Sequence, residues 1–98
     1  MLYKAELVDE ISVAVGEVIE LESLRQAVVP PYLMLMPFIE TPIGIEVVNQ
    51  SALDEDGVHG CVYTLRVEDH VDTDISIGFK DLQSGEVTHQ KVIHVTTV

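Results

Sequence analysis

Apolar residues at every second position of short segments constrain this chain more than any other feature. Ile11, Val13 and Val15 fall in one such set, and Ile19 and Leu21 in another after Gly16. A pleated strand sends successive side chains to opposite faces, so each set shares one face. The stretch from Ile11 to Leu21 therefore reads as two short strands hinged at Gly16. The pattern recurs towards the C-terminus. From Cys61 to Glu68 the odd positions are apolar, while Thr64, Arg66 and Glu68 face out. From Thr73 to Lys80, the inward set is Ile75, Ile77 and Phe79.

Eight extended segments follow from this spacing. Leu2 to Val8 alternates weakly, with Tyr3, Ala5 and Leu7 on the buried face, and Asp9-Glu10 turns the chain. Ser23-Leu-Arg-Gln-Ala27 carries helix-forming residues and predicts a single helical turn before Pro30. Tyr32 to Ile39 is apolar on both faces, which suits a doubly buried strand or a loop tucked under a sheet. Ile43, Ile45 and Val47 are in phase. Asn49 to Gly60 is polar, acidic and glycine-bearing, and predicts a loop. Asp69 to Asp72 and Gln83-Ser-Gly85 predict turns. Glu86 to Val98 is a long last strand whose alternation shifts near Val92, as a bulge would shift it. Short strands at regular spacing, with turn residues between them, predict one all-β domain over residues 1–98, a β-sandwich of about seven to eight antiparallel strands.

Among 98 residues, 47% are apolar, enough for a packed core in a single domain. Seventeen acidic residues against five basic ones give a net charge of −12. Such a surface repels nucleic-acid backbones and anionic membranes, and it attracts a basic protein. The single cysteine, Cys61, excludes an internal disulfide, and its place on an apolar strand face predicts a buried, inert thiol. Met1-Leu-Tyr-Lys lacks the charged start and apolar run of a signal peptide. A cytoplasmic home is expected, and the same composition is compatible with the periplasm. The longest apolar run, Tyr32 to Met36, is flanked by prolines and is far shorter than the roughly 20 residues of a membrane span.

Chemistry finds little to work with. His59, His70, His89 and His94 match no zinc spacing, and His89 and His94 fall on opposite faces of a regular strand. Asp69-His-Val-Asp-Thr-Asp74 and Asp54-Glu-Asp-Gly57 crowd carboxylates but lack the glycine and glutamate positions of a calcium loop. No nucleophile elbow or phosphate-binding glycine loop is present. No metal, no cofactor, no catalytic residue and no enzyme activity are expected.

The segment Ile11-Ser-Val-Ala-Val-Gly-Glu-Val-Ile-Glu-Leu21 resembles the start of the chagasin family. The order of the later strands fits that family along the whole chain. The resemblance implies an immunoglobulin-like sandwich that inhibits papain-type cysteine proteases through three loops at one end. The family's first loop carries Asn-Pro-Thr-Thr-Gly, and here Ser23-Leu-Arg-Gln-Ala-Val-Val-Pro30 stands instead. The second carries Gly-x-Gly-Gly; Gly57-Val-His-Gly60 keeps two of those three glycines. The third carries Arg-Pro-Trp; Lys80-Asp-Leu82 keeps a cation and an apolar residue. The partner-binding residues so implied are Gly57, Val58, His59, Gly60, Lys80, Asp81 and Leu82.

The leading functional expectation is thus a non-catalytic protein-binding module, in its most concrete form an inhibitor of a papain-type cysteine protease. A second reading is an accessory domain or homodimer that uses the apolar segment 32–39. A third is an acidic decoy of a basic nucleic-acid-binding protein.

Overall fold

Gly16 is where the chain changes sheets. It sits at φ 88°, a left-handed conformation that glycine adopts without steric penalty. On one side of it β2 (Glu10–Val13) pairs with the last strand; on the other, β3 (Val18–Glu22) pairs with a strand of the opposite sheet. The Ala14 amide donates to the Glu17 carboxylate at 2.9 Å, and the Gly16 amide donates to the Val67 carbonyl at 2.7 Å. These bonds fix the corner.

The computed structural model describes residues 2–24, 26–27, 35–55 and 58–98. Among them are nine strands and no helix. Besides β2 and β3 these are β1 (Leu2–Lys4), β4 (Gln26–Ala27), β5 (Leu35–Glu40), β6 (Ile45–Glu55), β7 (Val58–Val67), β8 (Asp72–Asp81) and β9 (Val87–Thr97). In the first sheet β7 is central: β6 covers one of its edges, β3 and then β4 share the other, and β1 lies outside β3. The second sheet runs β2-β9-β8-β5. Five pairings are antiparallel as expected, while β1 with β3 and β2 with β9 run parallel at the margins. The protein is an all-β, immunoglobulin-like sandwich.

The alternating residues meet between the sheets. Ile19, Leu21, Tyr63, Leu65 and Val67 from the first sheet face Ile11, Val13, Ile75, Ile77, Phe79, Ile93 and Val95 from the second, and all are buried. Each such side chain contributes about 1.5–3 kcal/mol relative to exposure. The expected phase breaks down where strands stop early. β1 ends at Lys4, so Leu7 lies in a turn and is exposed; β2 ends at Val13, so Val15 is exposed; Ile43 precedes β6 and is exposed. Ala5, by contrast, is buried, and Tyr3 packs against the core.

Two segments depart further from expectation. The described residues of the segment Ser23–Ala27 are not helical: the Ser23 amide donates to the Cys61 carbonyl at 2.8 Å, and Gln26–Ala27 pairs with Val58 and His59, while Arg25 lies outside the described residues. Cross-strand bonding to β7 overrides a weak local propensity. Within the expected loop from Asn49 to Gly60, the described residues Asn49–Glu55 and Val58–Gly60 are strand, belonging to the long antiparallel pair of β6 with β7. β6 is an edge strand, so Asn49, Gln50 and Ser51 stay solvated while the backbone holds the ladder. A register shift between Val47 and Asn49 breaks the alternation there. The shift in the last strand lies opposite Gly78, where β9 carries His89 at φ 52°.

Candidate functional site

Three chain connections gather at one end of the sandwich: the crossing from β3 through β4, the far end of the β6–β7 hairpin, and the β8–β9 turn. The last is the best defined. The Asp81 carboxylate accepts the Gln83 amide at 2.8 Å, and the Asp81 carbonyl accepts the Gly85 amide at 2.8 Å. Gly85 takes φ 77°. The Asp81 amide donates to the Glu86 carbonyl at 2.8 Å and closes the turn. Asp81 therefore shapes this turn rather than presenting a free charge. Leu82 projects from it, 54% exposed, and Lys80 lies exposed on the strand beside it.

The first two connections are locked together at Gly60. A Cβ on Gly60 would lie 2.7 Å from the Ser23 hydroxyl oxygen. That hydroxyl donates to the Leu24 carbonyl at 2.9 Å and accepts the buried Cys61 amide at 2.9 Å. Gly60 thus serves a close backbone approach. Val58 and His59 lie on β7, paired with Ala27 and Gln26. Gly57 lies outside the described residues, as do residues 28–34 of the first connection.

Between these connections the two sheets part. A cleft of about 390 Å³ opens there, lined by Met36, Pro37 and Leu82 on one side and by residues of β6 and β7 on the other. Register places Gln50 opposite Tyr63 and Ala52 opposite Cys61, so these four share the inner face. Gln50 and Ala52 are nonetheless exposed, because the second sheet does not reach over them. Cys61 and Tyr63 form the floor. Burial pushes the Cys61 thiol up from its ordinary value, and burial together with the adjacent Cys61 does the same for the Tyr63 hydroxyl. Gly60 and Leu82 are among the residues the sequence points to, and Met36 and Pro37 fall in its apolar segment 32–39; Gln50, Ser51 and Ala52 carry no such mark, since nothing in the local pattern shows where one sheet outruns the other.

The remaining sequence candidates lie elsewhere. His94 stands on the outer face of the second sheet, its two ring nitrogens 2.7 Å from Asp74 and 2.5 Å from Asp72. Hydrogen bonds to both carboxylates, that to Asp74 foremost, raise its pKa. His70 approaches the Thr97 hydroxyl at 3.4 Å, and His89 sits edge-on to Phe79 with ring centroids 6.5 Å apart. No group of His, Cys, Asp and Glu among the described residues is arranged to hold a metal ion. Of the apolar segment 32–39, Leu35–Glu40 forms the edge strand of the second sheet, with Met36 52% exposed; residues 32–34 lie outside the described set.

No family signature matches the chain, and no curated protein matches it in sequence. Solved structures do match in shape. The cysteine protease inhibitor EhICP2 from Entamoeba histolytica superposes with a TM-score of 0.73 at 12% identity, over 99% of this chain and 93% of that one. Amebosin superposes with a TM-score of 0.60 at 9% identity, over 99% of this chain and 94% of its own. This chain thus shares its fold with both along nearly its whole length.

Proposed function

We propose that this chain is a non-catalytic binding protein that inhibits a papain-type cysteine protease through the connections at one end of its sandwich. The observation that carries the reading is the convergence of those connections around Gly60 and Leu82, with Lys80 exposed beside them, on a fold shared with a cysteine protease inhibitor. Leu82 supplies an apolar knob on a turn held rigid by Asp81. A turn whose backbone is already held before contact loses little backbone entropy on binding. Lys80 adds a cation beside it, and the net charge of −12 favours approach to a basic face. Cys61 takes no part as a nucleophile: it is buried, and burial disfavours its thiolate.

The test is titration of the purified chain into papain with a fluorogenic substrate. Dose-dependent loss of activity is expected at micromolar protein or below. An undiminished rate at micromolar protein removes the reading.

A further inference from the structure

We infer that the cleft between the sheets is a binding site for a small, uncharged, mainly apolar molecule with one hydrogen-bonding group. The inference does not rest on the protease reading.

Size is the first argument. The cleft holds about 390 Å³, within the roughly 300–1,000 Å³ of small-molecule sites. Chemistry is the second. Met36, Pro37, Ala52 and Leu82 give apolar walls, and Gln50, Ser51 and Tyr63 supply hydrogen-bonding groups. No charged side chain lines it among the described residues. An ionised ligand would lose water there without gaining a counter-charge, whereas a neutral one with a single polar group would not. The third argument is how the space arises. Ala52 and Cys61 face each other in register at a place where larger apolar pairs such as Leu21 and Tyr63 fill the core. The small Ala52 and Cys61 side chains leave this space unfilled at the end of the core. The atoms around that gap lack dispersion partners on one side, and an apolar guest supplies them.

The experiment is a titration of the isotope-labelled chain with 1-naphthol, followed by amide NMR shifts. Saturable shifts are expected at Ala52, Gly60, Cys61, Tyr63 and Leu82. The anion 1-naphthoate should bind at least about tenfold more weakly. Ala52→Phe should remove the site, and its dispersed spectrum would show that the fold survives. Shifts that do not saturate, that map elsewhere, or that favour the anion would overturn the assignment, as would unchanged binding to a folded Ala52→Phe protein. The wild-type shift map decides the question even if that variant fails to fold.

Discussion

The backbone amide of Cys61 donates to the side-chain oxygen of Ser23 at 2.9 Å, joining residues 38 positions apart. Ser23→Ala leaves that buried amide and the Leu24 carbonyl without this partner. A loss of about 1–3 kcal/mol is expected, the usual range for an orphaned buried polar group. Urea unfolding measures it.

Gly60→Ala places a methyl group 2.7 Å from the same Ser23 oxygen. Overpacking of this kind costs about 1–3 kcal/mol. The double variant Ser23→Ala, Gly60→Ala should lose less than the sum of the two single losses, because removing the oxygen relieves the clash. Unfolding of all four proteins completes the cycle.

Both ring nitrogens of His94 face carboxylates, so the charged imidazolium is the form held in place. Its folded pKa lies above the ordinary 6.5. The stabilisation is therefore full below that ordinary value and is lost as pH rises through the folded pKa. His94→Gln should lower stability more at about pH 5.5 than at about pH 9. Unfolding midpoints at the two pH values give the comparison. An equal deficit at both would refute it.

Glu46, as hydrogen-bond partner and like charge, raises the Glu68 carboxyl from its ordinary value, against the opposing pull of Arg66. Folding then favours the protonated form, and stability falls as pH rises through the folded pKa. Glu68→Gln keeps a hydrogen-bond donor at every pH. It should raise the melting temperature at neutral pH and change it little near about pH 4, where the native acid already holds its proton.

If Leu82 anchors a protease, Leu82→Ser should weaken inhibition of papain by at least about tenfold, a typical cost of truncating a central apolar contact. The residue is exposed on a turn, so the melting temperature should hardly move. Lys80→Glu should weaken inhibition less, with an effect that shrinks as salt is added.

The buried alternation from Ile11 to Leu21 and from Cys61 to Val95 is legible in the sequence because a half-buried strand writes its orientation into every second residue. β6 is not. Its side chains from Asn49 to Ala52 stay largely in water, so its strand character resides in backbone bonds to β7, which composition does not encode. The helical turn expected at Ser23–Ala27 gives way for a related reason: the backbones of Ser23, Gln26 and Ala27 pair with distant β7, at Cys61, His59 and Val58. Of the candidate site, Lys80, Asp81, Leu82 and Gly60 are found through turn chemistry and family likeness. Met36 falls in the apolar segment 32–39 singled out for assembly, whereas Gln50, Ala52 and Tyr63 are not found as site residues, because a cleft depends on how far two sheets overlap. The register shifts near Val48 and His89 also leave only faint traces in the pattern.

The parallel alignment of β2 with β9 has a mechanical consequence. When the molecule is stretched from its two ends, one strand is drawn along its own axis against the other, and the rungs from Glu10 and His94 to Val13 and Thr97 take up tension together instead of peeling singly. Such a shear geometry makes this small domain stiff under load.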